Sequence, residues 1–253
     1  MAEVHHFAFG WFNPVAAYLM AFLGCLLGLV CTSRARALPQ GRHRVRWLVP
    51  AAVSIGGGGI WLMHFMAMLG FDVPASAVRY DPMVTAVSLV MAVLTVGVGL
   101  FIVGFGRRTV ARVLLGGLFT GLGVVAMHYA GMAAMHVNGV VTYDPGLVGA
   151  SVIIAVLAAT IALFFTVTVR GTGAINAAAA VMAVGVSGMH YTAMAAVRIQ
   201  IFTAGDGHVA GISPFVLVVP ITLLAAVALI ATAISGLASM TQEEFHSASA
   251  RRI

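Results

Sequence analysis

Seven stretches of this chain, residues 12–33, 47–71, 82–105, 113–136, 146–169, 174–197 and 213–238, are almost wholly apolar and hold no Asp, Glu, Lys or Arg in their interiors. A helix needs about 20 apolar residues to cross the hydrocarbon of a bilayer. Each run meets that length, and the gaps between them are too short for a soluble domain. Only 8% of the residues are charged, where a soluble domain carries about 25%. The expected fold is therefore an all-α membrane protein of seven transmembrane helices. Residues 1–11 form an extracytoplasmic N-terminal segment, 12–238 the helical domain, and 239–253 a short tail. Residues 1–13 contain no Lys or Arg, and the run that follows is too long for the apolar part of a signal peptide. The first run is expected to stay as an anchor.

The arginines set the orientation. All 13 basic residues are arginine. Arg34, Arg36, Arg42, Arg44, Arg46, Arg107, Arg108, Arg112, Arg170, Arg251 and Arg252 fall on one side of the runs, and only Arg79 and Arg198 on the other. Positive charge stays inside, so the N-terminus is expected outside and the C-terminus in the cytoplasm, in the plasma or inner membrane. Glu3, Asp72, Asp81, Asp144 and Asp206 show the opposite bias. The net charge of +6 thus has a topological cause; the expected partner is the lipid bilayer, not nucleic acid. Cys25 and Cys31 sit in the first run without metal-binding spacing and read as buried small hydrophobes.

The inward helices begin alike, with Asn13-Pro14, Asp81-Pro82, Asp144-Pro145 and Ser213-Pro214. Asn, Asp and Ser are good N-caps, and proline suits the first helical position. These starts recur at a nearly constant interval along the chain. The chain is thus read as three two-helix repeats in the same orientation plus a final helix, a plan compatible with approximate threefold packing. Gly24-xxx-Gly28, Gly117-xxx-Gly121 and the run Gly56-Gly57-Gly58-Gly59 read as sites of close helix approach.

The second helix of each repeat carries one signature. It reads Met63-His64-Phe65-Met66-Ala67-Met68, Met127-His128-Tyr129-Ala130-Gly131-Met132 and Met189-His190-Tyr191-Thr192-Ala193-Met194. The histidines recur at the interval of the helix starts, so they belong to the same repeat. Each His shares a helix face with the Met four residues on, so His64 with Met68, His128 with Met132 and His190 with Met194 point to a common locus. Met63, Met127 and Met189 lie about 100° round the helix, as flanking ligands or packing residues. His64 precedes Asp72 by eight residues, about 12 Å of helix, which places the locus in the outer leaflet. Ionisable residues within a membrane are costly and point to function, though an interhelical hydrogen-bond ring is the structural alternative. Imidazole with thioether favours copper, particularly Cu(I), over hard cations. Haem is the rival, since His and Met both serve as axial ligands.

These boxes resemble the MHYT domain family, named for a Met-His-Tyr-Thr motif. Met189-His190-Tyr191-Thr192 matches it verbatim, Met127-His128-Tyr129-Ala130 departs at the last position, and Met63-His64-Phe65-Met66 departs at the last two. The resemblance covers residues 12–238. It implies a bacterial membrane sensor that binds copper through Met, His and Tyr and responds to O2, CO or NO. On this chain it implies a copper site from His64, His128 and His190, with Met63, Met127 and Met189 from the motif; Met68, Met132 and Met194 rest on both spacing and resemblance. Phe65 excludes a phenol ligand in the first box. Many relatives attach such a domain to a cytoplasmic signalling output. The segment Thr241–Ile253 is too short for an enzyme, so the expectation is a sensor, not itself an enzyme, that signals through a separate partner.

Other polar residues extend this picture. His136 is expected two turns beyond His128 and is an accessory candidate, as are Tyr129 and Tyr191. His5, His6 and His208 fall on the outer side, as solvated loop residues or as guides for metal. Competing functions are a haem- or copper-dependent membrane redox protein, a copper transporter, and a structural subunit of a membrane complex. No nucleotide loop, hydrolase triad or carboxylate pair is present in the sequence.

Overall fold

The computed structural model describes residues 3–105, 109–202, 209–214 and scattered positions from 216 to 234. Six helices among them are long and apolar enough to cross a membrane: α1 Phe12–Ala37, α2 Arg42–Met68, α3 Pro82–Gly104, α4 Val110–Ala133, α5 Pro145–Thr168 and α6 Thr172–Ala195. The seventh run, 213–238, lies largely outside the described residues, as do Arg107, Arg108, Asp206, His208 and the tail 239–253.

Each helix packs against its neighbours in sequence, and α6 returns to α1, so the six close into a ring. The residues explain which face turns inward. On α5 the buried positions are Ser151, Ala155, Ala159, Leu163 and Thr166, one every three or four residues. Ile153, Leu157, Ile161 and Phe164 face out. On α3, Thr85, Ser88, Ala92 and Val96 are buried while Val90, Leu94 and Val98 are exposed. Small and weakly polar residues let helices approach closely, and large apolar ones meet lipid. Such an exposed apolar band would be a severe liability in water.

Two of the expected helix starts are built as read. Asp81 accepts a hydrogen bond from the Val84 amide at 2.8 Å, and Asp144 from the Leu147 amide at 3.1 Å. Asn13 departs. The helix begins two residues earlier than Pro14, at Phe12, and Asn13 is buried with its amide donating to the Met66 carbonyl at 3.1 Å. It ties α1 to the histidine-bearing end of α2 instead of capping its own helix.

The loop expected at 34–46 is largely helix. Arg34 and Arg36 end α1, while Arg42, Arg44 and Arg46 begin α2. Arginine is a good helix former, and here it finds partners at neighbouring helix ends. Arg36 donates to the Thr166 and Val169 carbonyls at the end of α5, and Arg44 to the Gly104 carbonyl of α3 at 2.7 Å. Cations bound to the last carbonyls of a helix complement its dipole.

Among the described residues, the opposite end holds four short strands, which the all-α reading did not anticipate. β1 (Arg79–Tyr80) pairs antiparallel with β2 (Met135–His136), and β3 (Gly139–Tyr143) with β4 (Val197–Ile201). Each pairing joins the segment before an odd-numbered helix to the segment after the next even one. His5 and Asp72 make the same connection around α1 and α2. The alternation Val197-Arg198-Ile199-Gln200-Ile201 buries Val197 and Ile199 and exposes Arg198 and Gln200, the period of a half-buried strand.

Helix α2 is the irregular member. After Pro50, which lacks an amide proton to give, the chain winds as a π-helix over Val53–Leu62. This section contains the four-glycine run, all buried. Gly24 of α1 lies directly on it: a Cβ at Gly24 would fall 2.2 Å from the Gly59 nitrogen. Backbone meets backbone here, which only glycine permits. Gly117 and Gly121 serve α4 against α5 in the same way, their Cβ positions falling on Thr160 and Val156.

Candidate metal centre

The ring geometry brings the three boxes together. Helices α2, α4 and α6 alternate with α1, α3 and α5 round the bundle, and the tip of α2 touches both α4 and α6. His64, His128 and His190 therefore meet on the bundle axis, each only 1% exposed. The Nδ1 atoms of His64 and His190 are 3.1 Å apart, and those of His128 and His64 are 3.2 Å apart. One ligand nitrogen from each ring lies within 4.8 Å of the other two. The rings stand edge to face, with centroids 4.9, 5.0 and 5.2 Å apart.

This arrangement is poorly satisfied by hydrogen bonds alone. An imidazole nitrogen carries either a proton or a lone pair. The Nδ1 of His64 faces two other Nδ1 atoms, and a single N–H serves one linear bond. The Nε2 atoms of His64 and His128 are sealed from solvent with no partner among the described residues. An ion held by nitrogen at about 2.0 Å in trigonal geometry sets its ligands about 3.5 Å apart. The two short spacings are a few tenths of an ångström below that, so nitrogens of the three rings stand close to the scale a metal ion requires.

The methionines of the boxes are sealed in the interior as well. Met63, Met127 and Met189 are buried, as are Met68, Met132 and Met194, none more than 3% exposed. Met189 also lines a cavity of about 50 Å³ towards the arginine-rich end, walled mainly by Ile60, Val96, Ala155, Met182 and Val186. Among the described residues, no carboxylate or cysteine joins the three histidines.

The accessory candidates fall differently. Tyr129 and Tyr191 pack edge to face on the adjacent His128 and His190, each at 5.0 Å, with hydroxyls sealed and unpartnered among the described residues. His136 does not extend the site. Helix α4 ends at Ala133, His136 lies on β2, and its exposed ring sits 3.1 Å from the Ala210 carbonyl. Pairing of Met135-His136 with Arg79-Tyr80 competes with the helix there, which the run of apolar residues concealed.

Two residues gain significance only from the fold. A Cβ on Gly131 would lie 2.5 Å from Nε2 of His64, so this glycine makes the space the ring occupies. The other boxes have Ala67 and Ala193 at that position, and this difference was the available signal. His6 lies under the N-terminal segment, half-buried, 5.6 Å from the Phe71 ring. Burial, and then the Arg198 charge, hold its imidazole below the ordinary histidine range.

Residues 57–117, 121–179 and 184–250 match a family described as a bacterial signalling protein N-terminal repeat, MHYT. The chain belongs to the MHYT family. The family's repeat is counted from within one histidine-bearing helix to the next, so it has the period of the hairpins read above in a different phase. Among curated relatives, the chain is 40% identical over 166 residues to the bifunctional diguanylate cyclase/cyclic di-GMP phosphodiesterase MucR of Pseudomonas aeruginosa, covering 64% of this chain and 24% of that protein. It is 32% identical over 197 residues to the cyclic di-GMP phosphodiesterase NbdA of the same organism, covering 75% of this chain and 25% of that protein. It is 30% identical over 199 residues to the signaling protein YkoW of Bacillus subtilis, covering 73% of this chain and 24% of that protein. The MHYT chain thus spans about a quarter of the length of these relatives. No solved structure matches it.

Proposed function

We propose that this MHYT chain is a multi-pass membrane sensor module whose buried histidines hold copper. The observation that carries the reading is the convergence of three imidazole nitrogens, fully buried, on one point of the helix ring. His64, His128 and His190 are the primary ligands, with thioethers drawn from the six methionines of the boxes. Bound there, copper supplies a site for a diatomic gas (O2, NO or CO) or a one-electron redox change.

The chain's own residues favour a monovalent ion. Neutral ligands leave Cu(I) with one unit of charge, which a site this deep tolerates better than a dication. Metal-bound histidines usually donate their second nitrogen to a carboxylate or carbonyl, which raises their basicity. His64 and His128 lack such a partner among the described residues, which again suits the softer, less charged ion. Nitrogens 3.1 and 3.2 Å apart favour a single ion over a macrocycle between these rings.

The family match continues to residue 250 and therefore includes the run 213–238, which we read as a seventh membrane helix. With the arginine layer in the cytoplasm, the strands and the metal centre face outward. The names of MucR and NbdA support an output that handles cyclic di-GMP, reached through a signalling partner.

The deciding experiment is elemental analysis with optical and EPR spectra of the purified protein. It compares the wild-type chain with the His64/His128/His190→Ala triple variant. Stoichiometric copper in the first and none in the second is expected. Copper-free wild-type protein purified from copper-replete cells would reject the reading.

A further inference from the structure

A buried centre needs a route by which its ion arrives. Towards the arginine-rich end, the cavity beneath the cluster is small and lined mainly by aliphatic side chains, with sulfur donors only from Cys25, Met182 and Met189 and no histidine. At the opposite end the N-terminal segment crosses the bundle. It is pinned by paired backbone hydrogen bonds between His5 and Asp72, at 2.9 and 2.8 Å, and by the Ala8 amide on the Gly70 carbonyl at 2.9 Å. His6 lies between these anchors. Its Nδ1 is sealed from solvent and has no hydrogen-bond partner among the described residues. Its neighbour Phe7 lies 5.8 Å from the ring of Tyr191, the residue after His190. Tyr191 in turn packs on the His190 ring at 5.0 Å. A buried polar atom left unpaired is unfavourable, and a bound cation would satisfy it.

We propose that His6 is a relay ligand, which takes Cu(I) from outside and passes it to His190 without belonging to the final coordination set. This rests on the metal-centre reading above. The transfer exchanges one neutral imidazole for another, so the ion keeps its charge and no electron or proton moves. The Arg198 charge acts on His6. Its guanidinium donates to the Ala195 and Val197 carbonyls at 2.8 and 3.0 Å, which moderates its field. The remaining positive potential opposes a dication more strongly than a monocation. Outside the relay, exposed His5 and Glu3 are paired at 3.1 Å and stand on the approach.

The test follows Cu(I) delivered as its bicinchoninate complex to metal-free, full-length protein in nanodiscs. Loss of the complex's absorbance gives the loading rate, and excess chelator gives the release rate. His6→Ala is expected to slow loading at least tenfold and to slow release by the same factor. Stoichiometry and Kd stay unchanged, because a relay alters the barrier and not the end states. His6→Met, another soft neutral ligand, is expected to restore most of the rate. His5→Ala, which leaves the buried relay intact, is expected to load close to the wild-type rate. Wild-type loading by His6→Ala would overturn the proposal. So would lowered affinity with an unchanged loading rate, the signature of a resident ligand. Equal slowing in His6→Met would mark a packing role and overturn it too. If the wild-type chain takes up no copper, or the triple histidine variant takes up as much, the metal reading falls and the relay with it. Those controls separate the two failures.

Discussion

Gly131→Ala is the smallest change that reaches the proposed centre without touching a ligand. The new methyl carbon would sit 2.5 Å from Nε2, 3.1 Å from Cδ2 and 3.3 Å from Cε1 of His64. Ordinary contact begins at 3.4 Å, so the ring must retreat by most of an ångström. That retreat is several times the tolerance of about 0.2 Å within which metal–ligand distances are held. His64 also makes both of the short Nδ1 contacts in the cluster, so its displacement opens the site more than displacement of either partner. Copper affinity is expected to fall by at least about 10–100-fold, the loss typical when even an outer partner of a metal ligand is removed. Overpacking is expected to cost about 1–3 kcal/mol of stability. The assay is competition titration of Cu(I) against bicinchoninate, with a thermal melt of the metal-free protein alongside. Gly188→Ala supplies the control, since a Cβ there meets nothing within 4 Å. It changes the same kind of residue two positions before His190 and is expected to leave affinity intact. Wild-type affinity in Gly131→Ala, or equal loss in Gly188→Ala, would refute the steric argument.

Three further outcomes follow from the packing and hydrogen bonding of the fold. Gly24→Val should prevent α1 from seating on α2, because the clash is with the Gly59 backbone and not with a side chain that can turn away; failure to recover monodisperse protein by gel filtration is expected. Arg44→Gln removes a charged hydrogen bond to the Gly104 carbonyl and should lower stability by about 1.5–3 kcal/mol, read by denaturant titration, with copper stoichiometry unchanged. Alkali should destabilise the strand-bearing end: burial raises the phenols of Tyr80 and Tyr143, the latter with a contribution from Tyr129. A phenol raised above its unfolded value of about 10 stabilises the fold fully below that pH, and the contribution disappears as pH climbs through the folded value. The melting temperature should therefore hold up to about pH 10 and then fall, and Tyr80→Phe should flatten that fall.

The six described spans were legible because lipid imposes a length and a polarity on every one of them. The boxes were legible because helical spacing puts His and its i+4 Met on one face, and a nearly constant repeat period puts the three at one depth. What escaped the sequence was decided by neighbours far along the chain. Asn13 reads as a cap beside Pro14, yet the Met66 carbonyl claims its amide. His136 continues an apolar run, yet pairing of Met135 with Tyr80 draws it into a strand. Arg34 to Arg46 read as a loop because charge interrupts hydropathy, but helix propensity and waiting carbonyls carry both helices through it. Gly131 was visible only as one member of a small-residue position, since the imidazole that requires it comes from the preceding repeat.

That last pairing shows why three identical copies would not make this centre. A ring of equivalent boxes would place the same residue behind each imidazole, and alanine stands at that position in the first and third. The chain has glycine only in the second, where the ring of His64 lies against α4. The first box is also the one that departs most from the motif, with Phe65 and Met66, and it continues directly from the π-helical section of α2. Phe65 packs on Trp61 at 4.8 Å and on Tyr80 at 6.0 Å, and Trp61 donates to Ser88 of α3 at 3.0 Å. This wall of aromatic side chains fixes α2 from the side away from the cluster, while Gly131 leaves space on the side towards it. The position of His64 is thus set by two features that broke the repeat, and the short contacts it makes with both partners depend on that asymmetry.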